Sequence, residues 1–175
     1  MAIIRKLRGF VPVFGEACFL AETAVVVGDV ICGDYCSIWY NAVVRGDVNS
    51  IRIGNKVNIQ DGAVLHCLFE KSVIEIGDNV SIGHNVIIHG ARIEDNVLIG
   101  MGAVVLDHTV VGTNSIIAAG AVVLSGTQVE PHSIYAGVPA KKVKNIDPVQ
   151  TKEMIEKIAN NYLKYAEWYK QDEIK

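Results

Sequence analysis

Excess positive charge is what this sequence most plainly lacks. Its 16 Lys and Arg stand against 19 Asp and Glu, for a formal net charge of -3 and a pI near 5.9. That balance offers no electrostatic footprint for nucleic acid, and no polybasic run marks the chain for an anionic membrane. Long apolar runs are missing too. The longest, 116–124, is interrupted by Gly120 and falls short of the ~20 residues that span a bilayer. The N-terminal MAIIRKLRGF mixes basic residues among its apolar ones and leads to no small-residue cleavage site, so no secretory signal is expected. A cytoplasmic location is expected instead. No CxxC pair occurs among Cys18, Cys32, Cys36 and Cys67. In a reducing compartment they are expected as free thiols, with Cys32 and Cys36 buried on apolar positions of the repeat described next.

What the sequence has instead is a period of six. Half of its 175 residues are apolar, enough to bury the core of a single domain. An aliphatic or similarly sized residue recurs at Val27, Cys32, Ile38, Val44, Ile53, Ile59 and Leu65. It resumes at Ile76, Ile82, Ile88, Ile93, Ile99, Val105, Val111, Ile117 and Val123, with two slips to a step of five. A smaller residue follows four positions later, as at Ala42, Ala63, Val86, Ala103 and Ala121. This period fits neither an amphipathic helix nor a two-fold strand. It is the signature of a parallel β-helix, an all-β solenoid in which three hexapeptides make one coil of about 18 residues. Aliphatic side chains are expected to point inward at the corners, and successive coils to pair as parallel strands about 4.8 Å apart. Roughly five to seven coils fit. The expected segments are a lead-in over 1–24, the β-helix over 25–130, a connection over 131–146 and a C-terminal α-helix over 147–172.

Two insertions interrupt the period, RGDVNSIR at 45–52 and a stretch at 67–74, and both are expected to emerge as surface loops. Asp147 suits an N-cap and Pro148 a first helical turn. The stripe Ile155, Ile158, Tyr162, Tyr165 and Tyr169 then steps by three and four, so the helix is expected to lie along the prism with its tyrosines and Trp168 as packing residues.

Three of the five histidines lie between Asn58 and Gly90. His66 and His89 each follow an inward aliphatic, and their separation of 23 residues equals one coil of about 18 plus an insertion of about five. They are expected to stack on one edge. His84 lies one face earlier and points from another edge. Tetrahedral zinc needs ligand nitrogens within roughly 3.5 Å of each other, which one prism does not supply from all three. Around a three-fold axis, His84 of one subunit can face His66 and His89 of the next, so the metal ligands His66, His84 and His89 predict a homotrimer with metal at each boundary. His108 and His132 have no partner in register.

The set Arg45-Gly46-Asp47, Asn58-Ile59-Gln60-Asp61, His66, Gly83-His84, His89-Gly90, Gly100-Met101-Gly102 and Gly137-Val138-Pro139-Ala140-Lys141, continuing into Asn160-Asn161-Tyr162, resembles the gamma-class carbonic anhydrase family. The likeness is greatest to its bacterial and archaeal branch, labelled ferripyochelin-binding or carbonic anhydrase-like proteins. It spans nearly the whole chain. The resemblance implies a left-handed β-helix with a C-terminal helix, trimeric, with zinc or ferrous iron at each interface. Three imidazoles also suit cobalt. It implies reversible hydration of carbon dioxide to bicarbonate, by hydroxide made available near pH 7. In the family pattern Gln60 hydrogen-bonds the metal's solvent with Asn58 nearby, Arg45 holds bicarbonate or an intersubunit carboxylate, and Asp47 and Asp61 are acidic partners. Read without the family, Arg45, Asp47 and Asp61 are equally an interface salt-bridge network.

Two departures stand out. Val48 occupies a place where the characterised gamma enzymes carry glutamate, and the loop after His66 is short, with Glu70 its only acid. Rapid turnover requires the released proton to reach buffer, so these departures accord with low activity. Two rival functions remain: a hexapeptide acyltransferase using a CoA thioester, in keeping with the GVPAK segment, and a non-catalytic metal- or siderophore-binding protein.

Overall fold

The computed structural model describes residues 1–171, without the side chains of Pro148 and Gln150. The expected helix end at Asp172 lies outside the described residues. The six-residue period closes into a parallel β-solenoid of about seven turns with three strands to a turn. Its first wall stacks Ile3–Arg5, 25–27, 43–45, Val64–His66, Ile87–His89, Val104–Val105 and Val122–Val123. Its second stacks Val13–Phe14, 31–32, 51–53, Ile74–Ile76, Arg92–Ile93, Val110–Val111 and Gln128–Val129. Its third runs from Phe19–Leu20 through Asn58–Ile59 and Ser81–Ile82 to Ser133–Ala136. One inward aliphatic per strand builds the core: Ile38, Ile59, Leu65, Ile82, Ile88, Ile99 and Ile117 are at most 1% exposed. Each such side chain contributes about 1.5–3 kcal/mol by leaving water. They point inward from the strands, not from the corners, which are left to turns with a left-handed residue such as Asn79, Asn85, Asn96 or Asn114.

Four expectations change. The inward residue of the second coil is Val26, fully buried and paired with Val44, whereas Val27 pairs with Arg45. The step from Val26 to Cys32 is therefore six, and the only true slip is at Gly90, where the corner is one residue short. The lead-in is itself the first coil, its three strands pairing in parallel with the second. The RGDVNSIR insertion is not a loop: Val43–Ile53 is one continuous strand that rounds a corner beside the continuous Val25–Cys32. The extra residues are absorbed as a bulge between the pairs Gly28↔Gly46 and Val30↔Ile51. Glycine is needed at this bend because a Cβ on Gly28 would stand 2.3 Å from the Gly46 carbonyl oxygen. Finally, strand structure continues past 130, where Ser133–Ala136 completes the third wall and Lys141–Asn145 pairs with it antiparallel.

The outward faces of the three walls differ in kind. On the first, Ile3, Val25, Val43, Val64, Ile87, Val104 and Val122 form an unbroken aliphatic ladder. On the second, Arg52, Glu75 and Arg92 alternate in charge. The third is covered by the helix Pro148–Gln171, which lies over Ser37–Ile38 and Ser81–Ile82. Its seam is Thr151, Ile155, Ala159 and Ala166, with the expected Ile158, Tyr162 and Tyr165 flanking it half-buried. Tyr162 and Tyr169 close on Trp39 at ring-centroid distances of 5.4 and 5.5 Å. Trp168 is 49% exposed and stacks on Tyr165 rather than on the prism.

Candidate metal centre

The corners separate structural chemistry from candidate functional chemistry. Between the second and third walls, Asp34, Asn55, Asp78 and Asp95 form a ladder. Each side-chain oxygen accepts from a backbone N–H on the preceding coil, at 2.6–2.9 Å. On its last coil that corner carries His132, whose backbone N–H donates to the Thr113 carbonyl. The other two corners border the aliphatic first wall, one at each side, and the three candidate metal ligands His66, His84 and His89 lie there.

At the corner leaving the first wall, His66 and His89 are register partners on adjacent coils, as the count of residues predicts. His66 Nδ1 and His89 Nε2 face each other at 3.2 Å. Their outer nitrogens are occupied: His66 Nε2 lies 3.1 Å from Asp47 Oδ1 and His89 Nδ1 lies 2.8 Å from Asp107 Oδ2. Arg45 pairs with the second oxygen of Asp47 within the same chain. Burial works to raise Asp47 and Asp107. It is outweighed by Arg45 at the first and by hydrogen bonds from Ser72 and His89 at the second, so both carboxyls sit below their ordinary range. Burial, then the Arg45 charge, hold His66 below its ordinary range as well. Ionised carboxylates only accept, so the imidazole nitrogens facing them carry the protons. In neutral rings the two facing nitrogens are then bare, two lone pairs that call for an electrophile between them. Their spacing matches two ligands on one tetrahedral ion with bonds of about 2.0–2.1 Å.

At the corner entering the first wall, His84 Nδ1 contacts Asp61 Oδ2 at 2.9 Å, again leaving one nitrogen free. Beside it Gln60 Nε2 donates to Asn58 Oδ1 at 2.9 Å, and Asn58 Nδ2 donates to Ser81 Oγ at 2.8 Å. This buried chain fixes both amides. Burial and the nearby Asp61 charge push Tyr162 up to about 12, so the helix presents a neutral phenol to this corner.

The predicted residues therefore fall into two groups, Arg45, Asp47, His66 and His89 at one corner and Asn58, Gln60, Asp61 and His84 at the other. Among the described residues of one chain, no three His, Cys, Asp or Glu side chains form a group able to hold a metal. Glu70 belongs to neither group. It is exposed and shares with Asp47, Phe69 and Arg8 a cleft of about 250 Å³. Val48 packs against the core. His132 lies at the corner between the second and third walls, and His108 follows Asp107 at the leaving corner, its backbone N–H donating to the Gly90 carbonyl at 2.8 Å. Sequence reasoning missed Asp107 and Ser72. Asp107 was findable, because it falls 18 residues after His89, the length of a regular coil.

Residues 90–125 match the model of the bacterial transferase hexapeptide family (six repeats). A Methanocaldococcus jannaschii protein named probable carbonic anhydrase is 52% identical over 84% of this chain and 89% of its own. A Geobacillus kaustophilus carbonic anhydrase is 44% identical over 96% and 91%. The mitochondrial gamma carbonic anhydrase 2 of Arabidopsis thaliana is 37% identical over 89% of this chain and 58% of its own. Among solved structures, a hexapeptide transferase family protein from Anaplasma phagocytophilum superposes with a TM-score of 0.90 at 34% identity, covering 95% and 98%.

Proposed function

The chain belongs to the gamma-class carbonic anhydrase family of hexapeptide-repeat proteins, and from that premise we propose that it is a metal-dependent enzyme, active as a homotrimer, that interconverts carbon dioxide and bicarbonate. The observation that carries this reading is the division of labour at each histidine. His66, His84 and His89 each give one nitrogen to a carboxylate, and the second nitrogens of His66 and His89 face each other. The free pair on His66 and His89 has the spacing of two ligands of one ion. Histidines oriented by carboxylates in this way are the usual supporting arrangement for zinc.

The donor set fits zinc, ferrous iron or cobalt: neutral imidazoles, a missing third ligand on this corner, and a third imidazole on the opposite corner of the same wall. A closed three-fold ring of copies brings one subunit's entering corner against the next subunit's leaving corner. When bound, the ion supplies Lewis acidity that makes hydroxide available near neutral pH. The rest falls to the chain. Asp47 and Asp107 hold the two rings in the tautomer that presents bare nitrogens inward, and Arg45 keeps Asp47 ionised. Gln60, pinned through Asn58 to Ser81, offers a fixed amide beside His84 to orient the attacking oxygen and the substrate. Glu70, exposed and the only acid of this loop, is the candidate to pass protons to buffer, and the low acidity of the loop favours slow turnover.

Metal analysis with stopped-flow hydration tests the proposal. Purified protein is expected to hold about one ion per chain and to hydrate carbon dioxide, and His84→Ala is expected to lose both as fully as His89→Ala. Retention of metal by His89→Ala would sink the site. The name of the hexapeptide transferase neighbour favours a second reading, acyl transfer from a CoA thioester. Acetyl-CoA turnover by metal-stripped protein would replace the first reading with that one.

A further inference from the structure

We propose that Ser72 and Asp107 form a positioning relay, anchored in the 67–73 loop, that fixes the tautomer and aim of His89. The inference rests on the metal-site reading above. Asp107 Oδ2 lies 2.8 Å from His89 Nδ1, and Asp107 Oδ1 accepts from Ser72 Oγ at 2.6 Å. Ser72 Oγ in turn accepts from the backbone N–H of Leu68 at 2.9 Å. The three side chains come from three places: the loop inserted after His66, the strand end at His89, and the corner one coil further on. Ser72 is 5% exposed, although the loop around it carries exposed Leu68 and Phe69. One hydroxyl therefore both closes the loop and saturates the carboxylate.

The backbone between them is shaped for this crossing. Gly90 has φ +61, and a Cβ there would stand 2.1 Å from Ser72 Oγ and 2.2 Å from Asp107 Oδ1. A bare residue after His89 is what allows the serine and the aspartate to meet. It is also the point where the coil runs one residue short, which brings the next coil's Asp107 beside the ring. Asp107 differs in this from Asp47, which is tethered by Arg45 within its own strand. The two stacked histidines are thus held by independent devices, one by a cation in the continuous strand and one by a loop hydroxyl.

A free imidazole prefers its proton on Nε2. The relay requires the opposite at His89, a proton on Nδ1 given to Asp107 and a bare Nε2 facing His66. ¹⁵N NMR of histidine-labelled, metal-free protein reads this directly. The wild type is expected to show the Nδ1–H form at His89, Asp107→Leu to revert to Nε2–H, and Ser72→Ala to give a mixture. In zinc competition against a chromophoric chelator, Asp107→Leu is expected to bind about 10- to 100-fold more weakly. Asp107→Asn, which keeps an acceptor, is expected to recover part of that loss. An Nε2–H tautomer in the wild type, or a tautomer unmoved by Asp107→Leu, overturns the relay whether or not zinc binds. Wild-type protein with the expected tautomer and no affinity for zinc sinks the metal reading and leaves the relay standing.

Discussion

Cys18 and Cys36 show how much a coil-to-coil register sets the chemistry of single side chains. The residues that follow them, Phe19 and Ser37, are register partners, so the thiols stack. Each bonds the carbonyl of an equivalent glycine, Gly33 at 3.2 Å and Gly54 at 3.1 Å. The hydrogen bond with Cys36 carries Cys18 down to about 7 against the opposing effect of burial. Burial pushes Cys32 up to about 12 and Cys67 up to about 11. The lowered member has the larger share of thiolate near neutral pH, and the thiolate is the nucleophile. Native protein treated with iodoacetamide is therefore expected to label at Cys18 first, with a rate that falls as pH drops through about 7. Cys36→Ala is expected to move that midpoint back toward 9.0, the ordinary thiol value. Equal labelling of all four cysteines by mass spectrometry would contradict this. At the same scale, the stacking of His66 on His89 was legible, because both follow inward aliphatics and the interval counts out to one coil plus one insertion. The Ser72 hydroxyl was not. It sits in the insertion, outside the period, and meets Asp107 at a separation of 35 residues, a contact no repeat count predicts.

At the scale of elements, the helix shows where a periodic stripe misleads. Steps of three and four picked out Ile155 correctly, since it is fully buried, but they favoured tyrosines over the small residues that touch the wall. Ala159 and Ala166 lie deepest with Ile155 because the wall beneath carries Ser37, Asn58 and Ser81, whose own hydrogen bonds occupy the space. Close approach there requires small helix residues, and the tyrosines spread to either side. Ile155→Ala is expected to cost about 2–5 kcal/mol, read as a lower denaturation midpoint in urea. The prism's β signal in circular dichroism should persist. A cost below about 0.5 kcal/mol, the size of an ordinary surface change, would show that the helix is not held by this seam. The continuous strand Val43–Ile53 was hidden for a different reason. Its extra residues resemble a loop by count, and only the stacked glycines Gly28 and Gly46 let the backbone round the corner without leaving the sheet.

The whole molecule has three walls and only one lid. The helix covers the third wall, the second breaks its aliphatic row with charges on its three middle coils, and the first presents aliphatic side chains on every coil, with Ile87 42% exposed. A contiguous apolar stripe of this length on a free surface marks an association site. The two corners that border it carry His66, His84 and His89, so whatever covers the wall also meets the candidate ligands. A second copy satisfies both demands at once, because its own wall is equally apolar and its opposite corner supplies the complementary group. Ile87→Glu places a charge in the middle of the ladder, on the strand that ends in His89. If the proposed homotrimer forms through this wall, the variant is expected to run as a monomer in light scattering and to lose metal retention, although every histidine remains and the β-solenoid keeps its circular dichroism. Gln128→Glu, exposed on the second wall, is expected to leave both assembly and metal unchanged. If the Ile87 variant stays trimeric, the first wall is not the interface. If it becomes monomeric yet keeps its metal, the ion is held within one chain, and the pairing of opposite corners across copies is wrong.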